Sequence, residues 1–546
     1  MPASLPLNLT ASDFPHPSRR MPVVAPHGVV ATSSQLAAQA GVRMLLQGGS
    51  AVDAAIATAA VLILVEPWSN GIGSDAFAIV WDGAELHGLN GSGRAPAAHS
   101  LELFSKLGVS KIPGDGWLSV TVPGAPAAWV DLHGRFGKLP FAALFEPAID
   151  YAENGFPLGP EGAAVWARAQ RRYAADCTTP EYAGWHQAFF PAGREAKAGD
   201  LWRLPDHGRS LRLIAESKAE AFYRGELGAA VAKFAAETGG YVTQQDLAEH
   251  TSTWDAPISV NYRGVDVWEL PAAGQGVAAL QALAMLQGFD LPAMARDSAQ
   301  SYHLQLEATK LACVDTYAYV ADPSAMPMPV EALLDPAYVA SRRALIGAQA
   351  LDPSPGQPPR GGTVYLCAAD TDGMMVSFIQ SNSEGFGSGI VVPGTGISLQ
   401  NRGRRGFSLD PKHPSVLAPR KRPFHTIIPG FLTQNGQALG PFGVMGGYMQ
   451  PQGHVQMVVN QVDYGMNPQA SLDAPRWFWA GAKQVQVEGH TDPAVIEGLT
   501  ARGHDVRVNS TLFRNPYGRG QIIRRLDNGS YVAGAEPRSD GAAVGY

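Results

Sequence analysis

The sequence has only three cysteines among 546 residues, Cys177, Cys313 and Cys367, and they form no C-x-x-C pair. This count excludes a disulfide framework and is typical of a protein kept in a reducing compartment. Residues 1–24 lack the apolar stretch of a secretory signal. The most apolar run, residues 51–65, is shorter than the roughly 20 residues that span a bilayer. We therefore expect a cytoplasmic protein with no membrane segment.

Positive charge is not in excess either, since 41 Lys and Arg residues face 48 Asp and Glu residues, for a net charge of −7. This balance argues against a nucleic-acid partner. The one basic run, residues 402–422, contains several prolines and is interpreted as a solvated or substrate-facing loop. The chain also lacks a G-x-S-x-G elbow, a P-loop and an H-E-x-x-H pair, and its 14 histidines show no metal-ligand spacing. His425 and His454 are as compatible with a structural role as with a catalytic one.

Helix signals dominate the first two thirds of the chain. Ser33 or Ser34 can cap a helix that runs to about Gln47, and Ser50 with Asp53 forms a capping box for the apolar helix that follows. From residue 122 to about 345 the pattern is mostly helical, interrupted by a strand pair. That strand pair is predicted at 257–271. After the helical region mainly strands are predicted, at 363–381, 389–400, 426–433 and 521–533. Helix-rich sequence followed by strand-rich sequence favours an α+β layered fold.

One junction in the sequence is unusual. Residues 353–362 read PSPGQPPRGG, which can form neither a helix nor a central strand, and a strand begins directly afterwards at Thr363. A threonine at a loop–strand junction is ordinarily just a good strand residue. The alternative is that the chain cleaves its own Gly362–Thr363 bond, because the Thr363 hydroxyl can attack the preceding carbonyl. The freed α-amine would then act as general base for the adjacent hydroxyl.

The hairpin after Thr363 has a predictable register. A three-residue loop from Thr371 to Gly373 places glycine at the left-handed position, so that Asp370 faces Met374. Continued to the strand ends, this register puts Thr363 opposite Ser381, with Cβ atoms about 5 Å apart on one face. A two-residue loop would instead pair Thr363 with Gln380.

Several glycine-rich blocks, together with Thr363, make the sequence resemble the γ-glutamyltransferase family of N-terminal-nucleophile hydrolases. The resemblance covers nearly the whole chain from about Gly28. The blocks are GGSAVDAAIAT (48–58), VPGAPAAW (122–129), DYAENGFPL (150–158), FYRGELG (222–228), GGYVTQQDLAEH (239–250), PISVNYRG (257–264), GSGIVVPGTGI (387–397) and GVMGGYMQPQGH (443–454).

The resemblance implies a four-layer αββα sandwich, formed jointly by two subunits within one structural domain. Residues 1–362 would be the large subunit and residues 363–546 the small one, and the two would stay associated after cleavage, with a dimer of such heterodimers left open. Thr363 would be the nucleophile, Ser381 its supporting hydroxyl and Gly446-Gly447 the oxyanion hole. The glycine pair on its own is more typical of a simple tight turn. No metal or organic cofactor is implied.

The acyl-donor side departs from the family pattern. Ser92 stands where the family has an arginine that binds a carboxylate, and the nearest arginine is Arg94, which is equally compatible with a surface role. Where glutathione-processing members have an acidic pair, this chain reads 402-RGRRGFS-408. His425-Thr426 replaces the family's serine pair. The substrate-binding residues expected on this basis are Arg94, Asn382, Ser383, Arg402, Arg404, Arg405, His425 and Thr426.

Arginine in place of an acidic residue would repel the α-ammonium of a γ-glutamyl group. Two like charges at about 4 Å cost about 4 kcal/mol at an effective dielectric of 20. We therefore expect a self-cleaving amidohydrolase whose small acyl donor has an anionic head and no ammonium, such as oxamate or a dicarboxylic monoamide. Two alternatives stay open. One is a γ-glutamyltransferase or glutathione hydrolase, with these arginines facing solvent, and the other is an unprocessed homologue without catalysis.

Overall fold

The computed structural model describes residues 20–271, 273–353, 364–510 and 516–546. Gly362 and Thr363, and with them the predicted cleavage site, lie outside the described residues. Within the described ranges no helix is both long and apolar enough to cross a membrane.

The described residues form helices on both sides of a pair of sheets. The α-helices are α1 Gln35–Leu46, α2 Ala51–Val65, α3 Leu101–Lys106, α4 Ala125–Phe136, α5 Glu146–Asn154, α6 Pro160–Asp176, α7 Ala183–Phe189, α8 Pro205–Ser217, α9 Glu220–Tyr223, α10 Glu226–Thr238, α11 Gln244–Ala248, α12 Gly276–Leu286, α13 Ala299–Tyr319, α14 Pro336–Arg343, α15 Gly403–Gly406, α16 Met449–Val462, α17 Pro468–Asp473 and α18 Pro493–Ala501.

The strands group into two large sheets and three small ones. They are β1 Val23–Ala25, β2 Val29–Thr32, β3 Asp75–Trp81, β4 Leu86–Gly91, β5 Phe156–Pro157, β6 Leu201–Trp202, β7 Thr253–Asp255, β8 Ile258–Tyr262, β9 Val265–Glu269, β10 Val364–Ala369, β11 Met375–Ser381, β12 Val391–Val392, β13 Ile397–Ser398, β14 Gly430–Gln434, β15 Gln437–Met445, β16 Trp477–Gly481, β17 Gln484–Glu488, β18 Asp505–Asn509, β19 Arg519–Arg525, β20 Tyr531–Ala535 and β21 Ala542–Gly545. Sheet I has the order β1-β20-β19-β15-β14-β9-β8, and sheet II has the order β21-β2-β10-β11-β3-β4-β7.

The two large sheets face each other through an apolar layer. Tyr365 and Cys367 of β10 pack there with Phe431 and Ile523 of sheet I, and all four side chains are buried. Leu366, which lies between them in β10, points to the outer face of sheet II, because successive side chains of a strand alternate between the two faces of the sheet. Both faces of each large sheet are therefore covered.

Helices cover the outer faces. Helix α2 packs with Leu366 on the outside of sheet II, and helices α12, α13 and α16 pack with Val444 and Ile522 on the outside of sheet I. Every residue of α2 is buried, as expected for a helix that is apolar on all sides. Its start is fixed by the predicted capping box, in which the Ser50 hydroxyl accepts from the Asp53 N–H at 3.1 Å. The architecture is the predicted αββα sandwich.

The predicted hairpin register is confirmed for every described pair. Val364 lies opposite Gln380, and Ala369 lies opposite Met375. Gly373 has a φ of 88°, in the left-handed region that glycine tolerates best. The two-residue loop is excluded, because it would have shifted each pair by one residue.

The prediction of mainly strands after residue 363 is wrong in part. Helix α16, of 14 residues, and the shorter α17 and α18 lie in this region. The long strand β15 was also missed, and residues 389–400 form only the two short strands β12 and β13. Helix α16 contains a proline and a glycine, which weaken its helical signal, and its stability comes from burial against sheet I.

Candidate active site

Two neighbouring strands of sheet II, β3 and β11, bring polar residues to one end of the sandwich. Asp75, the first residue of β3, lies directly opposite Ser381, the last residue of β11. On the other side of β11, the first described residue of β10, Val364, lies opposite Gln380. Side chains that face each other across antiparallel strands stand about 5 Å apart, so Asp75 and Ser381 are neighbours on the face directed at sheet I.

The chain turns sharply after Ser381. The Ser381 hydroxyl accepts a hydrogen bond from the N–H of Ser383 at 2.8 Å. Ser383 has a φ of 77°, which is rare for a residue with a side chain, and such strained residues cluster at functional sites. The Ser383 hydroxyl is buried without a hydrogen-bond partner among the described residues. Asn382, in contrast, is fully engaged: its amide oxygen accepts from Ser74 at 2.9 Å.

A buried arginine occupies the space beside Asp75. The guanidinium of Arg402 is inaccessible to solvent; its Nε donates to Asp75 Oδ2 at 3.3 Å and its Nη1 to the hydroxyl of Thr426 at 3.0 Å. Its Nη2 is buried and has no partner among the described residues. Burial raises the pKa of Asp75 to about 6, although the charge of Arg402 and the N–H of Gly93 oppose the shift. A buried donor without a partner is costly, which makes Arg402 a candidate ligand group.

His425 lies on the other side of the same carboxylate. Its Nε2 is 4.0 Å from Asp75 Oδ2, and neither ring nitrogen has a hydrogen-bond partner among the described residues. Burial and the positive charges of Arg402 and Arg422 lower the pKa of His425 well below its usual value. His425 is therefore neutral at physiological pH, with one acceptor and one donor available.

The two remaining arginines are paired with an acid that the sequence argument omitted. Glu384 forms ion pairs with Arg405 and with Arg404, whose Nε lies 3.2 Å from Glu384 Oε2. The Arg405 side chain is 7% exposed, and burial lowers its pKa to about 10. Arg404 is about one third exposed at its side chain. The prediction that both would act as bare positive charges is corrected, because Glu384 neutralises one of them. The alternative that all three arginines face solvent is also wrong.

The Gly446-Gly447 pair joins β15 to the start of α16. Both residues have positive φ, 140° and 62°. A Cβ on Gly446 would lie 3.0 Å from the Cα of Gly518, so this backbone path requires glycine. Neither N–H donates to another described residue, as an oxyanion hole requires. Gln275 ties the turn to the neighbouring segment: its Nε2 donates to the carbonyls of Gly447 at 2.8 Å and Thr426 at 2.6 Å.

Arg94 lies apart from this cluster. Its side chain is half exposed, donates to the carbonyl of Arg420 at 3.1 Å and lies 3.9 Å from a carboxylate oxygen of Asp322. It lines a separate cavity of about 320 Å³ together with Arg420 and His250. His454 also lies outside the cluster. It forms a buried hydrogen bond of 2.5 Å with Glu269, a structural contact between α16 and β9.

The structure thus gathers Ser381, Ser383, Arg402, Arg405, His425 and Thr426 at one end of the sandwich and leaves Arg94 outside. Sequence reasoning missed Asp75, Glu384 and Gln275. Asp75 had a usable signal, since it is the only charged residue of the otherwise apolar strand DAFAIVW. Glu384 follows the predicted Ser383 directly. Gln275 gave no signal, because only folding brings it to the glycine turn.

The chain is similar to known proteins over nearly its whole length. The family model for Gamma-glutamyltranspeptidase matches residues 37–546. The chain is 36% identical over 531 residues to the glutathione hydrolase-like YwrD proenzyme of Bacillus subtilis, covering 96% of this chain and 98% of the relative. It is 34% identical to the oxamate amidohydrolase proenzyme of Klebsiella pneumoniae, covering 96% and 99%.

A solved structure shares the whole fold. The crystal structure of a cephalosporin acylase from Bacillus halodurans superposes with a TM-score of 0.94 at 51% identity, covering 99% of both chains. The relatives are amide hydrolases and transferases, and this chain is an enzyme of that kind. It has the fold, the glycine turn and the polar cluster at the sheet ends, and it belongs to the gamma-glutamyltranspeptidase family.

Proposed function

We propose that the chain is a precursor that cleaves itself between Gly362 and Thr363, giving chains of 362 and 184 residues that stay associated. The Thr363 hydroxyl attacks the carbonyl carbon of Gly362, the peptide C–N bond breaks, and water hydrolyses the resulting ester. The relatives described as proenzymes support this step. The hairpin register supports it too, since one more pair beyond Val364 and Gln380 would put Thr363 opposite Ser381.

In the mature enzyme Thr363 attacks the substrate amide, and its own α-amine takes the hydroxyl proton and passes it to the leaving amine. Water then hydrolyses the acyl ester. Ser381 orients the Thr363 hydroxyl, and the N–H groups of Gly446 and Gly447 stabilise the oxyanion, a contribution of about 3 kcal/mol per donor. These two N–H groups have no acceptor among the described residues, which leaves them available for that role.

We propose further that the acyl donor is small and carries an anionic head without an ammonium, as in oxamate or a dicarboxylic monoamide. The free Nη2 of Arg402 carries this proposal, because a buried guanidinium donor without a partner suits a carboxylate. If the described register continues by one pair, Asp75 would lie two strands from Thr363, about 10 Å away. Arg402, at Asp75, is therefore within reach of a short acyl chain bound to the nucleophile.

The charges around the cluster also favour a donor without an ammonium. Arg402 is buried and the Arg405 side chain is 7% exposed, and each is paired with an acid, Arg402 with Asp75 and Arg405 with Glu384. A γ-glutamyl donor would need an acceptor for its ammonium. Glu384 is the one acid at the turn after Ser381, and both of its oxygens already contact arginine. Glutathione hydrolysis is therefore the second candidate, favoured only if Glu384 can release an arginine.

A steady-state comparison of two anilides tests the donor. Glutaryl-p-nitroanilide and γ-glutamyl-p-nitroanilide carry the same carboxylate and differ only in the α-ammonium of the γ-glutamyl compound, and ammonia release from oxamate supplies a third substrate. We expect kcat/KM to favour the glutaryl compound or oxamate. Arg402→Gln should lower kcat/KM for the glutaryl compound by at least about tenfold, or about 1.4 kcal/mol. Arg404→Gln, on a partly exposed side chain, is the matched control and should change it less than about threefold.

Two results would refute the proposed donor. A tenfold preference for the γ-glutamyl anilide would make glutathione-type substrates the better assignment. An unchanged kcat/KM for the glutaryl anilide in Arg402→Gln would show that this guanidinium does not bind the carboxylate of the acyl donor.

A further inference from the structure

The side chain of Gln275 joins two parts of the candidate site that are distant in the chain. Gln275 is fully buried at the start of α12. Its side-chain Nε2 donates one hydrogen bond to the carbonyl of Thr426 at 2.6 Å and another to the carbonyl of Gly447 at 2.8 Å. A primary amide has two N–H groups, so these two carbonyls use both of them. The reverse orientation would set Oε1 against two carbonyl oxygens, which fixes the assignment of the donor.

The backbone around Gln275 holds one side of this bridge in place. The N–H of Gln275 donates to the carbonyl of His425 at 3.1 Å, and the N–H of His425 donates to the carbonyl of Ala273 at 2.9 Å. Gly274 and His425 form a short parallel bridge. Gln275 is therefore fixed to the segment of His425 by contacts that do not depend on its side chain, and its side-chain amide reaches across to the glycine turn.

Each end of the amide bridge meets a residue next to a group with a proposed role. The hydroxyl of Thr426 accepts a hydrogen bond from Nη1 of Arg402 at 3.0 Å, so this end leads to the guanidinium proposed to bind the acyl head. At the other end, the Gly447 carbonyl also accepts from the N–H of Gln450 at 3.2 Å, in the first turn of α16. Holding this carbonyl restricts rotation of the backbone that carries the two proposed oxyanion donors.

A turn of two glycines has wide backbone freedom, whereas an oxyanion hole stabilises charge only when its donors are held in place before the reaction. On the basis of the proposed function, we propose that Gln275 is a positioning residue. Its side-chain amide sets where the N–H groups of Gly446 and Gly447 stand relative to an acyl head bound at Arg402. Loss of the amide weakens the stabilisation of the transition state and leaves binding of the substrate in the ground state nearly unchanged.

The variant Gln275→Met tests this role, because methionine keeps the length of the side chain and removes both N–H groups. We expect kcat for the best of the three substrates above to fall by about tenfold or more, with KM changed by less than about threefold. The variant should fold, since Gln450 Oε1 still accepts from the N–H of Ile428 at 2.9 Å and keeps α16 attached. Gln281→Met is the matched control: Gln281 is buried in the same helix, its Nε2 donates to Asp315 at 3.0 Å, and both kinetic constants should stay within about twofold.

Two measurements separate positioning from a general loss of stability. In a Gly446→Ala background, Gln275→Met should lower kcat by less than about threefold further, because both changes displace the same donors and independent effects would multiply. The N–H groups of Met449 and Gln450 donate to the carbonyls of Gly446 and Gly447. Their hydrogen exchange should become about tenfold faster or more in Gln275→Met and stay unchanged in the control variant.

Four results would overturn the positioning role: an unchanged kcat in Gln275→Met, an equal loss of kcat in Gln281→Met, multiplying effects in the double variant, or wild-type exchange at the start of α16. Hydrogen exchange needs no substrate. It therefore decides the role of Gln275 even if the wild type turns over none of the three substrates, a result that would refute the proposed donor alone.

Discussion

Asp75 should make the enzyme less stable as the pH rises from 4 to 7. Burial raises the pKa of Asp75 to about 6 in the folded protein, whereas the unfolded value is 3.8. An acid with a raised pKa binds its proton more tightly in the folded state, so this group penalises folding only once it is ionised. The penalty is absent below pH 3.8 and complete above pH 6. A shift of about 2 units corresponds to about 3 kcal/mol.

The isosteric change Asp75→Asn removes this titration. An asparagine cannot satisfy both Arg402 and the Gly93 N–H as a carboxylate does, so the variant carries a constant offset in its free energy of unfolding. The offset does not depend on pH. The difference in unfolding free energy between Asp75→Asn and the wild type should therefore change by about 3 kcal/mol from pH 4 to pH 7, in favour of the variant.

Urea unfolding of both proteins at a series of pH values measures this difference. Asp206→Asn is the matched control, because Asp206 pairs with Arg209 at 3.1 Å on the exposed face of α8. Exposed pairs contribute only about 0.2 to 1 kcal/mol, so the control difference should stay nearly flat. A flat difference for Asp75→Asn would refute the reasoning. It would mean that the attraction of Arg402 outweighs the desolvation of Asp75, and that the carboxylate stays ionised throughout this range.

Three further predictions concern processing and chemistry. Thr363→Ala should give one full-length band on denaturing electrophoresis, whereas Thr371→Ala, in the exposed hairpin loop, should give two chains like the wild type; a cut elsewhere by N-terminal sequencing would contradict the assignment. Gly446→Ala should lower kcat by about tenfold or more at little cost in KM, since its Cβ would meet Gly518 and displace an oxyanion donor; unchanged kcat would remove this turn from the mechanism. Exhaustive dialysis against EDTA should leave the amidase activity intact, and loss of activity restored by a divalent ion would contradict the proposed chemistry.

The local features of the fold could be predicted from the sequence because they depend on neighbouring residues. The Ser50–Asp53 capping box and the three-residue loop after Asp370 each rest on contacts within a few positions. The hairpin register follows from the loop length, and it was correct for each described pair. Helix α16 could not be predicted in this way, since its proline and glycine disfavour a helix and only burial against sheet I stabilises it.

Part of the candidate site could likewise be predicted from the sequence. Thr363 after a Pro- and Gly-rich segment, Ser381 at the matching register position and the Gly446-Gly447 pair identified the predicted machinery. The net charge near the candidate site was misjudged, because the arginines of residues 402–405 were counted without the carboxylates that pair with them, Asp75 and Glu384. Glu384 comes from the turn after β11. Asp75 comes from β3 and precedes Arg402 by more than 300 residues.

By itself the sequence determined the family, the nucleophile to be tested and the local geometry of the hairpin, because each depends on residues adjacent in the chain. Only the tertiary structure decided which charges meet. It buried Arg402 against Asp75 and paired Arg404 and Arg405 with Glu384. The physical reason is that desolvation and ion pairing are set by distance in space, which sequence separation does not reveal.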